Sequence, residues 1–347
     1  MSRQQITLPV GVTIRDPHGA HYTIDGLIGR GEFGAVYRAR DRRFGRQLFA
    51  LKEVIDPSPQ DRERFTFEGE ILMRLSHPAL PRVHRVFEHE KLRRVYLVMD
   101  YVEGRDLEAL RREQAEQRFS LSLALPLLAP IVDALSYLHM QEPPVVHRDV
   151  RPANIIVPAG TNRTMLVNFG IAKQHIAGEM TVVIRRGTPG YAAPEQYTSG
   201  TSAQTDIYGL GATLYSLLTG IIPPDAISRV MRSQGGDPLK PAHLLIPEIP
   251  GDISEAIGRA MIPRVAERFT TIDEFWRILA GHGVQQPMQI RRVPPATAPQ
   301  LQSGQGNSYT PPVSLPYPQQ ARKGKGRVPI WNRMRVLFRK VFRLFSF

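Results

Sequence analysis

The loop His147-Arg148-Asp149-Val150-Arg151-Pro152-Ala153-Asn154 sets a carboxylate, a guanidinium and an amide in close order. The apolar lead Val145-Val146 precedes it, and a second apolar run, Met165-Leu166-Val167, delivers another amide in Asn168-Phe169-Gly170. Upstream lie a glycine turn, Gly29-Arg30-Gly31-Glu32-Phe33-Gly34, and a single ammonium in Phe49-Ala50-Leu51-Lys52. A carboxylate can take or orient a proton, and a guanidinium meets an anion as a fork. An amide oxygen can ligate a hard cation but brings no charge to it. Glycines let backbone amides approach an anion with no side chain between them.

These groups need strands and helices to hold them. Residues 22–54 alternate and turn as antiparallel strands do. A dinucleotide site would require a helix to open straight after the glycines. Here a strand follows, Ala35-Val36-Tyr37-Arg38-Ala39, then a turn and a third strand over 47–54. Helical spacing over 62–75 puts Phe67, Ile71 and Leu75 on one face, with Asp61 near the start. Glu68 and Glu70 on that helix point about 200° apart. Val95-Tyr96-Leu97-Val98-Met99 reads as a buried strand and 122–139 as a core helix. Residues 171–186 have little apolar periodicity and read as a loop, and 272–279 as the last helix.

The 347 residues suggest two domains, or one two-lobed domain with a tail, and 42% hydrophobic residues can fill a sizeable core. With no cysteine there is neither a disulfide nor a thiolate metal site. The first ten residues do not read as a signal peptide. Of the net charge of +13, the segment 281–347 carries 11 basic residues and no acidic one, which leaves 34 against 32 before it. The body is nearly neutral, and the tail holds the charge. Residues 281–320 are rich in Pro, Gln, Gly and Ser and read as a disordered or extended linker. In 321–347, Trp331, Met334, Phe338, Val341, Phe342 and Phe345 form one side of a basic amphipathic helix too broken by charge to span a bilayer.

Taken in order, glycine loop, strand lysine, helix glutamate, His-Arg-Asp, Asn-Phe-Gly, Ala-Pro-Glu and a late arginine resemble eukaryotic-type protein kinases over about 22–280. Gly187-Thr188-Pro189-Gly190-Tyr191 and Asp237-Pro238-Leu239 look like the bacterial serine/threonine kinases. The resemblance implies an α+β fold of two lobes: an antiparallel-sheet lobe with one helix (22–99), a hinge (100–107) and a mainly helical lobe (108–280), after a lead-in (1–21). It implies ATP against Ile28, Gly29, Arg30, Gly31, Glu32, Phe33, Gly34, Ala35 and Val36 of the glycine loop, and Ala50 and Lys52 of the strand. Met99, and the hinge residues Asp100 and Val102 by their backbone, would meet the adenine, and Asp106 the ribose.

The same resemblance casts Asp149 as the catalytic base and Lys52 as the phosphate lysine, held by Glu68, with Glu70 as the competitor. Arg151 stands where the family usually has lysine. Asn154 and Asn168 would hold magnesium, or manganese, although Asn168 replaces the family's aspartate. His147 reads as a packing residue, Phe169 as part of the metal-binding triplet, and Arg148 as a partner for phosphorylated Thr181. Thr188 would touch the catalytic loop and favour serine or threonine acceptors. Asp206 would tie that loop, and Arg268 would pair with Glu195.

Two functional classes follow. One is an ATP-dependent serine/threonine protein kinase in bacterial signalling, weakened at the metal site. The other is a pseudokinase, a nucleotide-binding scaffold without catalysis. Either would be cytoplasmic, and the tail suggests a peripheral position at the inner face of the plasma membrane. An anionic membrane surface suits its nine basic residues from Arg322 to Arg343 better than nucleic acid or a partner's groove does.

Overall fold

The computed structural model describes residues 7–31, 34–41, 47–161, 163–169, 187–197, 200–231 and 236–282. The chain divides into Met1–Ile290 and Arg291–Phe347, and every described residue lies in the first. Glu32, Phe33, Thr181, most of the linker and the whole basic tail are outside the described residues.

Six antiparallel strands form the first lobe: β1 (Thr13–Arg15), β2 (His21–Arg30), β3 (Gly34–Asp41), β4 (Leu48–Ile55), β5 (Val83–His89) and β6 (Arg94–Asp100), in the order β1-β2-β3-β4-β6-β5. Register decides which side chains meet the second lobe. Val36 lies opposite Lys52, Lys52 opposite Leu97, and Ala50 opposite Met99. Because strand side chains alternate, these residues share one face, while Ala35, Tyr37, Leu51, Glu53 and Tyr96 share the other. The first face joins the large core beneath the sheet, and the second forms a separate aromatic core with Tyr22, Phe49 and Phe87. Strand β1 lies within the segment read from sequence as a lead-in, and Leu8 and Val12 also pack on this outer core. Three residues of alternation are too short a signal to be read as a strand.

The helix expected over 62–75 is α1 (Pro59–Leu72). Ser58 caps it by accepting from the Asp61 N–H at 3.1 Å, with Pro59 at the first helical position, where its missing N–H costs nothing. Its buried stripe is Phe65, Gly69 and Leu72, not Phe67 and Ile71, which are half-buried. Gly69 explains the shift. A Cβ there would sit 2.8 Å from Val86 of β5, so only glycine lets helix and sheet close up on that face.

The second lobe begins after Asp100. Strand β7 (Gly104–Asp106) pairs with β8 (Ile155–Pro158), which pairs with β9 (Met165–Leu166). Its helices are α2 (Leu107–Arg112), α3 (Leu121–His139), α4 (Ala203–Thr219), α5 (Ala226–Met231), α6 (Ala242–Leu245), α7 (Gly251–Ala260) and α8 (Ile272–Ala280). Helix α3, of 19 residues, is long and apolar enough by composition to cross a membrane. Leu125, Leu128, Ile131, Leu135 and Leu138 are nonetheless buried in the core, and it packs on α4 and α8. Helix α4 is buried along almost its whole length and forms the axis on which the catalytic-loop residues rest.

Candidate active site

Between β7 and β8 the chain from Val145 to Asn154 has no regular strand or helix until a short 3-10 turn over Pro152–Asn154. Asp206, on the first turn of α4, holds it. One Asp206 oxygen accepts from the His147 N–H (2.8 Å) and from His139 Nε2 (2.9 Å), and the other from the Arg148 N–H (2.7 Å). Burial by itself would raise the Asp206 pKa. The hydrogen bond and charge of His139, the charge of His147 and the Arg148 N–H outweigh it and hold the carboxyl below its usual range. The Arg148 backbone is bent to φ 70°, a left-handed conformation that costs a non-glycine residue about 1–2 kcal/mol. That bend turns Asp149 toward the cleft.

The Asp149 carboxylate is held on several sides. Its Oδ2 accepts from Asn154 Nδ2 at 2.7 Å, its Oδ1 from the Thr188 hydroxyl at 3.2 Å, and Arg151 Nε lies 3.6 Å from Oδ1. Asn154 Nδ2 also reaches the Asp149 carbonyl (2.8 Å), closing the loop on itself. Across the cleft Lys52 Nζ donates to the Phe169 carbonyl at 2.5 Å and lies 3.4 Å from Asn168 Oδ1. Asn168 Nδ2 in turn donates to Asn154 Oδ1 at 3.3 Å. Asn168 sits at φ 64°, a conformation asparagine tolerates better than most residues. His147 is fully buried against the Phe169 ring, at 5.1 Å between centroids, with Nε2 on the Val167 carbonyl, which makes it a packing residue. The arrangement is a positioned carboxylate facing a tethered ammonium across a cleft.

The description "Protein kinase domain" matches residues 22–235, well over half of the chain. The chain belongs to the protein kinase family. It is similar to the serine/threonine-protein kinase PknA of Mycobacterium tuberculosis, 31% identical over 300 residues that cover 83% of this chain and 67% of that one. Mouse serine/threonine-protein kinase DCLK3 is 35% identical over 221 residues, 62% of this chain and 26% of its own. Among solved structures, the M. tuberculosis PknI kinase domain superposes with a TM-score of 0.61 at 26% identity, covering 79% of this chain and 99% of that one. The chain thus spans a quarter to two thirds of these curated relatives. The two-lobed kinase fold with its sheet lobe and helical lobe is the one described above.

Kinases of this family use ATP and a divalent cation. The two amides cast as metal ligands lie side by side in this kinase but are bonded to each other. Asn154 Oδ1 is taken by Asn168 Nδ2, and Asn168 Oδ1 faces an ammonium. Among the described residues no group of three His, Cys, Asp or Glu could hold a metal. As arranged, the donor set does not fit a bound cation.

The geometry adds detail to three expectations for the nucleotide side. Glu68 lies 3.6 Å from Arg148, and Lys52 is tethered to the second lobe through the Phe169 carbonyl. Glu70 is exposed and drops out as its competitor. The Asp100 N–H is engaged by the Arg82 carbonyl (2.9 Å), and its side chain by His84 Nε2 (2.6 Å), so the expected adenine contact at this residue falls to its carbonyl. Asp106 caps α2, accepting from the Ala109 N–H at 2.8 Å, because an aspartate just before a helix satisfies an otherwise unbonded donor. Val102 is half-buried at the hinge, and Val36, Ala50 and Met99 line the sheet face above the cleft. Ile28 is half exposed, as is the glycine turn at Gly29, Arg30 and Gly31. Gly34 answers to the sheet first, since a Cβ there would lie 1.8 Å from the Glu53 carbonyl oxygen of β4.

The substrate-side segment is tied down by Arg268, which meets Glu195 as a fork at 2.8 and 2.9 Å and also reaches the Ile262, Gln204 and Pro263 carbonyls. Two residues that sequence reasoning passes over complete this joint. Gln196 Nε2 donates to the Arg148 carbonyl (2.8 Å), and Thr205 donates to Glu195 (2.9 Å). Gln196 directly follows Pro194-Glu195, so its place was visible but its partner was not. Glu53 is the larger omission. Buried on the outer face next to Lys52, it accepts from Tyr37 (2.8 Å), Tyr96 (3.0 Å) and Arg94 (2.6 Å). Burial, with the Glu53 carboxylate behind it, pushes the Tyr37 hydroxyl up to about 12 against the opposing Leu8 N–H. No sequence pattern separates this glutamate from an exposed strand residue.

Proposed function

We propose that the chain transfers the terminal phosphoryl group of ATP to a serine or threonine hydroxyl of a protein substrate. The contact between the Thr188 hydroxyl and Asp149 Oδ1 (3.2 Å) carries this reading. It brings the substrate-side segment to a carboxylate able to orient an acceptor hydroxyl. Asp149, buried and held by Asn154, is the group placed to take that proton. Lys52 and Arg151 supply positive charge on the two sides of the phosphate position. The serine/threonine kinases among its relatives, PknA and DCLK3, support the same acceptor class. Magnesium, or manganese, would have to arrive with the nucleotide, because Asn154 and Asn168 as arranged do not hold it. The kinase domain is assigned to 22–280, extended upstream by β1, and the chain to bacterial signalling in the cytoplasm.

Asn168 makes the transfer slow. One unit charge removed about 4 Å from another weakens their interaction by roughly 4 kcal/mol at an effective dielectric of about 20. At about 1.36 kcal/mol per tenfold in rate, that is a loss on the order of 1,000-fold. Transfer of radiolabelled phosphate from ATP, with magnesium and with manganese, tests this in the natural chain, Asp149→Asn and Asn168→Asp. Expected are weak transfer by the natural chain, none by Asp149→Asn and a gain in Asn168→Asp. Transfer absent from the natural chain with both metals but present in Asn168→Asp would replace this reading with a pseudokinase, which the Asn168–Asn154 bond favours. The tail, 321–347, is assigned to an anionic membrane surface at the inner face of the plasma membrane. Equal sedimentation with anionic liposomes before and after its deletion would reject that assignment, and displacement by nucleic acid would favour the rival partner.

A further inference from the structure

Four side chains across the cleft make one directed series of hydrogen bonds. Lys52 Nζ can only donate, and it lies 3.4 Å from Asn168 Oδ1. The ionised Asp149 carboxylate can only accept, and it takes Asn154 Nδ2 at 2.7 Å. Between these fixed ends both amides have their orientation forced. Asn168 turns its oxygen to the lysine and its NH2 to Asn154 Oδ1 at 3.3 Å, and Asn154 turns its NH2 to Asp149. The series runs from cation to anion with every donor facing an acceptor.

An aspartate at 168 would break it in the middle. Its carboxylate would face Asn154 Oδ1, two acceptors with no proton between them. Rotating the Asn154 amide would repair that contact only by turning its oxygen onto Asp149. Two facing acceptors are what a divalent cation bridges, and in this chain a hydrogen bond does the bridging. With asparagine at 168 there is also no negative charge at that position to oppose the nucleotide phosphates. Of the charged side chains in this series only Asp149 is then an anion, and Lys52 and Arg151 lie on either side of the cleft.

We propose that the Lys52–Asn168–Asn154–Asp149 relay stands in for the divalent cation, so that this chain binds ATP without one. The proposal rests on the reading of the cleft as a nucleotide site and goes beyond it, because binding and transfer are separated. A metal-free triphosphate, which a carboxylate at 168 would repel, can here accept from the Asn168 NH2 and the Lys52 ammonium.

Calorimetric titration of the full chain with ATP, once with magnesium and once with excess EDTA, is the test. The dissociation constant in EDTA should lie within about threefold of that in magnesium. A loss of more than tenfold in EDTA overturns the proposal while leaving the nucleotide site intact. No heat of binding under either condition overturns both. Asn168→Asp should behave oppositely, losing at least tenfold in EDTA and regaining it with magnesium. Its melting temperature in EDTA without nucleotide should fall below that of the natural chain and recover with magnesium. Equal melting of the two proteins in EDTA would show that the relay holds nothing together.

Discussion

Replacing Asp206 by asparagine keeps the size and shape of the side chain and removes one acceptor, so it isolates what this carboxylate does. Three donors meet Asp206: the N–H groups of His147 and Arg148 and the His139 ring. An asparagine has one oxygen. Turned toward His147 and His139, it presents its NH2 to the Arg148 N–H, and turned the other way it abandons the other two. At least one charge-assisted bond is lost, about 1.5–3 kcal/mol, and a buried donor is left without an acceptor at about 1–3 kcal/mol more. The strained bend at Arg148 then loses the bond that fixes it. A total on the order of 4 kcal/mol, at about 2–4 °C per kcal/mol for a domain of this size, predicts a melting temperature lower by roughly 10 °C. Phosphoryl transfer should fall as well, since Arg148 directs Asp149. The effect must fade in acid. The folded Asp206 has a pKa below its unfolded value of about 3.9, so its contribution is complete above that pH and is lost as pH falls through the folded pKa. In calorimetric melts of both proteins, the gap should therefore be constant from pH 7 to about 4 and begin to narrow as pH falls below about 3.9. A variant melting within about 2 °C of the natural chain at pH 7, with unchanged transfer, would refute the reasoning.

Gly69→Ala should lower the urea midpoint by the equivalent of about 1–2 kcal/mol, because the new methyl collides with Val86 while the helix gains up to about 1 kcal/mol of propensity. If the midpoint rises, the helix–sheet contact is looser than described. Arg268→Lys keeps the charge but cannot repeat the fork on Glu195 or the three carbonyl contacts. A destabilisation of about 3 kcal/mol is expected in the same assay, and less than 1 kcal/mol would count against the joint. Burial depresses the His77 pKa despite Asp133 at 3.2 Å. The unfolded chain therefore takes up the proton first, and stability should begin to fall as pH drops below about 6.5. His77→Gln should flatten that limb in a thermal melt series.

Much of the fold is legible because its signals are long or chemically narrow. The glycine loop followed by a strand, the helical spacing of 122–139 and the ordered motifs from Lys52 to Arg268 each have few other interpretations. The face of α1 was harder to read. Apolar periodicity pointed to Phe67 and Ile71, whereas the buried contact is made by a residue with no side chain at all, Gly69. Ion-pair partners were harder still. Spacing places Glu68 on the right helix, but its approach to Arg148 at 3.6 Å depends on a residue of the second lobe that spacing along α1 does not report. Asn168 shows the opposite limit. Its identity was plain and its charge deficit calculable, but the use of its NH2 depended on Asn154 being turned by Asp149.

The outer aromatic core bears on where this domain can be cut. A polypeptide begun at Tyr22, the first residue of the family match, would lack β1, the Leu8 N–H on the Tyr37 hydroxyl and the Asp16 carboxylate beside Arg85. Tyr22, Tyr37, Phe49, Phe87 and Tyr96 would then lose their cover, over a carboxylate that has no other business in a dry interior. Such a fragment should be sticky in solution, and its poor behaviour would be mistaken for a property of the catalytic machinery. For protein production, the working N-terminal limit lies upstream of Thr7.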